Sequence, residues 1–349
     1  MVRRMALRSM SEFSISSRAV WVVFPALSLI SPQIAAAEND PPPKTWSVTY
    51  ENDVFAGEDQ GYTNGIAGGY SRGDFDSFTE NNSPGWMRWL AWPLPFIHKE
   101  GLRHSISYVV GQTMQTPEDL EDEKLIEDDL PYAGLLFWHG RMHSFDRRTA
   151  HEIGLKLGAV GPASGAEQVQ TAVHDLIGAT EPEGWDNQLE NEPVLNLRYI
   201  HRWRALVGDL GGIEVDVVPA LRLQAGNLIS DVGLGFSARV GKGLEASYPT
   251  ASILSGRDPD TLVRDSAGSW YLSVGLIGGY VFNDLLVEGN TWRDSHGLEI
   301  KNGRYSYGIS AAYTFRNWQL KWSFVSMSEV AEILDGSQEF GAVSVAWNF

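Results

Sequence analysis

The sequence of 349 residues contains no cysteine, so it can form neither a disulfide framework nor a cysteine-based metal site. Basic residues are scarce: 27 Lys and Arg stand against 44 Asp and Glu, which gives a formal net charge of -17. So acidic a chain repels nucleic acid, and nucleic acid is excluded as a partner. Long apolar runs are also missing. After residue 37, no window holds the roughly 18 consecutive apolar residues that a membrane-spanning helix requires.

The first 37 residues have the pattern of an export signal. Four arginines accompany the apolar run AVWVVFPALSLI, and three alanines at 35–37 follow it. We expect cleavage after Ala37, which gives a signal peptide, 1–37, and a mature domain, 38–349, with a net charge of -20.

Period-2 alternation recurs along the mature chain and predicts strands with one apolar face. In RYSYGISAAYTF, residues 304–315, aromatic and aliphatic side chains alternate with small or polar ones. Other strands carry charges on the second face, which need water there. The predicted strands are 45–53, 61–72, 103–113, 132–145, 149–160, 193–205, 211–224, 230–241, 267–284, 303–316, 317–327 and 339–349.

A soluble β-sandwich also alternates, but its apolar face is a packed core. Here aromatic residues crowd the strand ends, as in the girdles of membrane barrels, and the small or charged face suits a wet lumen. The last strand, GAVSVAWNF, ends in an aromatic residue, which is typical of outer-membrane barrels. The prediction is therefore all-β: a transmembrane antiparallel β-barrel of about twelve strands in the cell outer membrane.

If both termini face the periplasm, the connections 54–60, 114–131 and 161–192 lie at the cell surface. The third contains SGAEQVQTAVHDLIG, which predicts a short amphipathic helix over 166–177, with Ser164 as N-cap and Gly178 at its end. The Trp- and Pro-rich segment 73–102 falls on the periplasmic side. It is interpreted as an interfacial or plugging segment.

This topology gathers polar residues at one rim. Asn52 and Asp53 end the first strand, Thr63 begins the second, and Gln170 and His174 lie one turn apart on the predicted helix. Strand parity puts Asn52 on the lipid-facing side, where an uncovered amide is costly. The helix could cover it, which would create an active site between wall and helix that opens toward lipid.

A histidine can serve as general base for water, and Asp or Asn oxygens are suitable ligands for Ca²⁺. Together these groups suggest metal-assisted ester hydrolysis, in which the cation stabilises the oxyanion. Taken alone, the same residues also suit an ordinary strand end, because Asn and Asp favour turns and Thr favours strands.

Six motifs occur in an order that is similar to the lipid A 3′-O-deacylase family of Gram-negative outer membranes: ENDVF, YTNG, GQTMQTPEDL, DDLPYAG, GPASGAEQVQTAVHDLIGA and GWDNQLENEP. The resemblance spans nearly the whole mature chain. It implies a twelve-stranded barrel and Ca²⁺-dependent removal of the 3′-linked acyloxyacyl chain of lipid A.

The resemblance also implies roles for particular residues. The catalytic histidine falls on His174, the glutamine one turn earlier on Gln170, and the metal-holding Asn-Asp pair on Asn52 and Asp53. The hydroxyl of the Tyr-Thr motif falls on Thr63. A supporting glutamate falls on Glu181, next to Thr180. The chain departs from the family at Leu130, where Arg is frequent, and at Gln115, where Tyr is frequent.

The run EDLEDEKLIEDD, residues 118–129, holds eight acids and one lysine. It is either a solvated, self-repelling loop or a surface that gathers the divalent cations bridging lipid A phosphates.

We therefore expect a monomeric outer-membrane esterase that acts on lipid A at the extracellular face. Outer-membrane lipid and lipopolysaccharide are its partners, and Ca²⁺ is its cofactor. Two alternatives remain. An outer-membrane phospholipase would use a serine nucleophile, although no G-x-S-x-G elbow occurs, and a porin-like barrel would have no catalysis.

Overall fold

The computed structural model describes residues 44–53, 62–248 and 268–349, and the predicted signal peptide lies outside them. Within the described residues, antiparallel strands pair in chain order, and the pairing of the first strand with the last closes a barrel. The strands are β1 Lys44–Asn52, β2 Tyr62–Phe75, β3 Arg103–Gln115, β4 Ala133–Phe145, β5 Thr149–Val160, β6 Glu192–Trp203, β7 Leu206–Asp209, β8 Glu214–Gly226, β9 Ile229–Lys242, β10 Trp270–Asp284, β11 Gly303–Phe315, β12 Trp318–Met327 and β13 Gln338–Asn348.

Twelve of these strands form the wall, as the sequence predicts, and β7 is the extra one. Strand β6 pairs with β8 as far as Ala220, and β7 pairs with β8 from Val217 onward. Strand β7 therefore continues the line of β6 after a break at Arg204. The Arg204 side chain turns inward there, to Asp216 and to the carbonyls of Leu244 and Ser247. The predicted strand 193–205 matches β6, and β7 is a short strand that lies outside the predicted ones.

Three short α-helices occur in the described residues: α1 Gly85–Ala91, α2 Ala166–Ile177 and α3 Leu285–Glu288. No helix in the described ranges is long and apolar enough to cross a bilayer. Helix α2 matches the predicted surface helix, and it ends at Gly178 as predicted.

The strands alternate between an outward face and a lumen face. In β1, Trp46, Val48 and Tyr50 are exposed, while Thr49 and Glu51 are buried. An exposed aromatic or aliphatic side chain at every second position is the pattern of a lipid-facing wall. The outward face ends at Asn52, which is half-buried.

The lumen-facing charges are buried and paired with one another, where the sequence interpretation expected water. Glu152 accepts from both Arg198 and Arg202, and Asp231 binds Arg222 at 3.0 Å. Burying a charge without a partner would be far more costly, and these arginines supply the partner. The lumen at this level is thus filled by an ion-paired network.

We call the end of the barrel opposite Lys44 and Phe349 the distal end. Its mouth is filled by an apolar cluster that combines lumen-facing residues with three connections, 116–132, 285–302 and 328–337. Gln115 donates to the carbonyls of Pro131 and Leu286, which joins two of these connections. The cluster includes Val109, Leu130, Leu135, Phe137, Val160, Val194, Leu228, Val281, Leu285, Leu286, Val287, Leu298, Ile300, Val330 and Ala331.

Candidate active site at the distal rim

Helix α2 lies against the outward face of the wall. A Cβ built on Gly134 of β4 would stand 2.1 Å from Ser164 Oγ and 2.3 Å from Ala166 Cβ, so only glycine lets the start of α2 come this close. Met114 of β3, the register partner of Gly134, is outward-facing by parity and only 3% exposed. It is buried together with Ala166 and Trp185. Helix α2 therefore covers the lipid-facing wall at β3 and β4, while the predicted cover over Asn52 on β1 stays a prediction.

The cross-strand register extends this contact toward β1. Gly134 pairs with Met114, Met114 with Asn64, and Asn64 with Asn52, so these four residues form one row across the outward rim. Neighbouring strands lie about 4.8 Å apart, which puts Asn52 roughly 10 Å from the strand that α2 covers. The two predicted parts of the site, on β1 and on α2, share one rim and one face of the wall.

Asn52 and Asp53 differ in their surroundings. Asn52 is half-buried on the outward side, beside Asn64, whose amide donates to the Tyr50 hydroxyl at 3.2 Å. Asp53 follows the last paired residue of β1 and is fully buried. Thr63 lies in β2 at a register shift between Tyr62 and Asn64, and its side chain is outside the described part of the structure.

Gln170 is the buried polar residue on the wall-facing side of α2, 2% exposed. Its Oε1 accepts from the indole Nε1 of Trp185 at 2.8 Å. An indole nitrogen can only donate, so this contact fixes which end of the amide faces Trp185. The Nε2 group is buried with no hydrogen-bond partner among the described residues.

His174 lies one turn further along α2 and is half-buried. Its Nδ1 lies 2.5 Å from the backbone carbonyl of Thr180, just past the end of the helix. A carbonyl can only accept, so Nδ1 carries a proton, and in the neutral ring the lone pair is then on Nε2. The ring is oriented in the tautomer that a general base needs. Glu181, the predicted supporting residue, has an exposed side chain.

The start of α2 differs from the sequence prediction. The N-cap is Gly165, in the left-handed conformation with φ of 69°, and not Ser164. Ser164 ends a preceding 3-10 turn and is buried, where its Oγ accepts from the Ala166 N–H at 3.3 Å. The left-handed Gly165 lies between Ser164 and Ala166, the two residues that approach Gly134.

Two connections form the floor beside α2. The Glu183 N–H donates to the Leu120 carbonyl at 2.8 Å, and the Asn187 amide donates to the Glu123 carbonyl at 2.9 Å. Tyr132 and Trp185 pack with ring centroids 5.0 Å apart, and burial raises the pKa of the Tyr132 phenol. Trp185, which orients Gln170, is therefore held by both connections. Sequence reasoning missed it because an isolated Trp in a connection carries no periodic signal.

The acidic run 118–129 makes local turns within this floor. Asp129 accepts from the Glu118 N–H at 2.7 Å, and Asp119 and Asp122 accept from N–H groups two residues further on. The two residues that depart from the family pattern face elsewhere: Leu130 is buried in the apolar cluster and Gln115 points to the lumen.

The side chains at the end of β1 carry the types of oxygen atom that a hard cation binds. Asn52 offers an amide oxygen and Asp53 a carboxylate, the ligand types that Ca²⁺ prefers. Residues 44–53, 62–248 and 268–349 contain no cluster of three His, Asp or Glu side chains that could hold a metal ion by themselves. A cation at Asn52 and Asp53 would therefore need further oxygens from water or substrate to reach six to eight ligands.

A family profile for the outer membrane protein LpxR matches residues 22–349. The chain belongs to the LpxR family of outer-membrane proteins. The resemblance to lipid A 3′-O-deacylases in the sequence motifs is thus confirmed as a family relationship, and the predicted outer-membrane location is confirmed with it.

The fold is similar to that of a solved LpxR structure. LpxR from Salmonella typhimurium matches with a TM-score of 0.72 at 16% identity, covering 87% of this chain and 100% of that chain. The β domain of the Bordetella autotransporter BrkA gives a TM-score of 0.42 at 9% identity, covering 88% and 100%. The translocator domain of NalP from Neisseria meningitidis gives 0.38 at 10%, covering 88% and 89%. No curated protein sequence matches the chain.

Proposed function

We propose that this LpxR-family barrel is a Ca²⁺-dependent lipid A 3′-O-deacylase that works at the extracellular face of the outer membrane. The observation that carries the proposal is His174, oriented by the Thr180 carbonyl on a helix that lies against the lipid-facing wall. A lumen histidine could not meet an acyl chain in the membrane. An imidazole beside the outer wall can.

The surface of α2 supports access from lipid. Leu176 is 86% exposed and Val169 is 40% exposed, both on one flank of the helix, about 100–120° around its axis from Gln170. Apolar side chains left bare at the rim of a membrane barrel favour contact with lipid tails. Acyl chains of lipid A can thus lie beside α2 while the ester reaches the rim row.

The chemistry begins with a water molecule hydrogen-bonded to His174 Nε2. The imidazole takes a proton from this water as its oxygen bonds to the ester carbonyl carbon. When the bond to the sugar oxygen breaks, the same imidazole returns the proton to that oxygen. The products are the free acyloxyacyl acid and a lipid A with a free 3′-hydroxyl.

The remaining residues position the reactants. Gln170 presents its Nε2–H₂ to the ester or the water, Thr63 and Glu181 contact substrate or support the imidazole, and Asn52 and Asp53 would hold Ca²⁺. When bound there, the cation polarises the ester carbonyl and stabilises the developing oxyanion. An oriented hydrogen-bond donor, such as the Nε2–H₂ group of Gln170, typically contributes a factor of about 10²–10³ to kcat.

Mass spectrometry of lipid A from cells that express the wild type or His174→Ala tests the proposal. The wild type should convert lipid A to a species that lacks the 3′-linked chain, and the variant should not, although it folds equally well. Unchanged lipid A with a folded wild type and available Ca²⁺ would reject it. A porin, by contrast, would conduct ions and be indifferent to His174. The apolar cluster in the distal mouth weighs against that alternative.

A further inference from the structure

The Trp- and Pro-rich connection between β2 and β3, residues 76–102, lies on the outside of the barrel. Its residues Met87, Ala91 and Ile97 are buried against Ile106 and Met142. By register and parity, these last two are outward-facing positions of β3 and β4, which a bare wall would present to lipid. The segment is therefore interfacial and does not plug the lumen.

The height of this segment follows from the aromatic girdle near the chain ends. Cross-strand pairing aligns five outward aromatic residues in one row over five neighbouring strands: Trp318, Trp347, Trp46, Tyr70 and Tyr108. Rows of this kind mark a membrane interface.

On the next strand, β4, the girdle position is Gly140, which has no side chain. The space above it is occupied by Trp86 of α1, whose ring lies 2.8 Å from the position of a Cβ on Gly140, and by Trp138. The Trp86 and Trp138 ring centroids are 5.7 Å apart. Helix α1 therefore continues the girdle and lies at interface height.

The outer side of α1 carries two more indoles. Trp89 is 73% exposed and Trp92 is 79% exposed, and their spacing of three residues puts them on one side of the helix. Arg88, just before Trp89 in sequence, turns back to the carbonyls of Ser83 and Thr79 at 2.7 and 3.3 Å. Both indoles remain exposed. Tryptophan favours the boundary between acyl chains and headgroups.

We propose that residues 76–102 form a membrane-surface anchor that seats Trp89 and Trp92 in the phospholipid leaflet at the end of the barrel where the chain termini lie. Phospholipid is the occupant because the segment replaces lipid on the outer wall and is continuous with the girdle on either side. A second copy of the chain or a soluble protein would have to displace lipid from a wall that is already within the membrane. The proposal does not depend on the deacylase activity.

The absence of cysteine permits single spin labels. Trp89→Cys and Trp92→Cys are each labelled with a nitroxide in the mature barrel, which is refolded into phosphatidylcholine vesicles. Leu272→Cys, at an exposed outward position near the start of β10, serves as the lipid reference. Lys124→Cys, in the exposed acidic run, serves as the water reference. Heat-modifiable gel migration verifies that each variant folds.

Power saturation compares the accessibility of each label to oxygen, which partitions into lipid, and to a water-soluble nickel chelate. The ratio of oxygen to nickel accessibility at 89 and 92 should exceed that at 124 by about threefold or more, and approach that at 272. A ratio equal to that at 124 would overturn the proposal. Dipolar broadening at 89 or 92 that disappears on dilution with unlabelled protein would assign the surface to a second copy and overturn it equally.

Discussion

Replacing Gly134 with alanine should lower the proposed deacylase activity without unfolding the barrel. The new methyl group would stand 2.3 Å from Ala166 Cβ and 2.1 Å from Ser164 Oγ, whereas carbon atoms pack at about 3.5–4.0 Å. The start of α2 must therefore retreat from the wall by about 1.5 Å. Displacing catalytic groups by about 1 Å can cost on the order of 10² in rate, so we expect kcat to fall roughly a hundredfold.

Gly68→Ala is the matched control. Gly68 is also an outward-facing strand glycine, on β2, but a Cβ there meets nothing within 4 Å. Both variants are purified in detergent, verified by heat-modifiable migration, and assayed for release of fatty acid from lipid A in micelles. Full activity in Gly134→Ala, or an equal loss in Gly68→Ala, would refute the argument that the seat of α2 on the wall controls catalysis.

Three further predictions concern Trp185, Leu176 and Asp146. Trp185→Phe removes the indole N–H that orients Gln170 and should lower kcat about tenfold with little change in KM, in the same micelle assay; an unchanged kcat would mean that the amide needs no such support. Leu176→Gln should raise the apparent KM for lipid A in vesicles severalfold and leave kcat in micelles unchanged, since it alters only an exposed apolar contact. A KM in vesicles equal to that of the wild type would mean that α2 does not contact lipid. Burial raises the pKa of Asp146, but the hydrogen bonds from Arg148 and Thr149 together lower it by more, so the net pKa lies below 3.8. The ionised carboxylate therefore stabilises the fold above that pH. Asp146→Asn should therefore lower the urea midpoint at pH 6, and the difference from wild type should shrink as the pH falls below 3.8; a difference independent of pH would contradict this.

The wall of the barrel could be predicted because its physical cause is local in sequence. Alternation along each strand follows directly from one face toward lipid and the other toward the lumen, so strand count and order emerge from the pattern. The break at Arg204 could not be foreseen, because it depends on the distant partners Asp216 and Leu244. The ion pairs of Glu152 are equally long-range, and the sequence shows only that charges face the lumen.

The candidate site divides in the same way. The strand-end residues Asn52 and Asp53, and the helical pair Gln170 and His174, stand out by spacing and topology. The groups that orient the pair do not. Thr180 acts through its backbone carbonyl, which every residue carries, and Trp185 reaches Gln170 only after two connections fold together. The position of residues 76–102 depends on Gly140, whose place in the aromatic girdle can be recognised only from the strand register.

The most direct test of the proposed mechanism measures the general base and the Ca²⁺ site separately. Ca²⁺ binding by calorimetry and lipid A hydrolysis are measured on the same purified wild type, Asp53→Ala, Asn52→Ala and His174→Ala. We expect His174→Ala to bind Ca²⁺ like the wild type but to hydrolyse lipid A at least about 10³-fold more slowly. We expect Asp53→Ala and Asn52→Ala to lose both Ca²⁺ binding and hydrolysis. Wild-type Ca²⁺ affinity in Asp53→Ala, or substantial hydrolysis by His174→Ala, would contradict it.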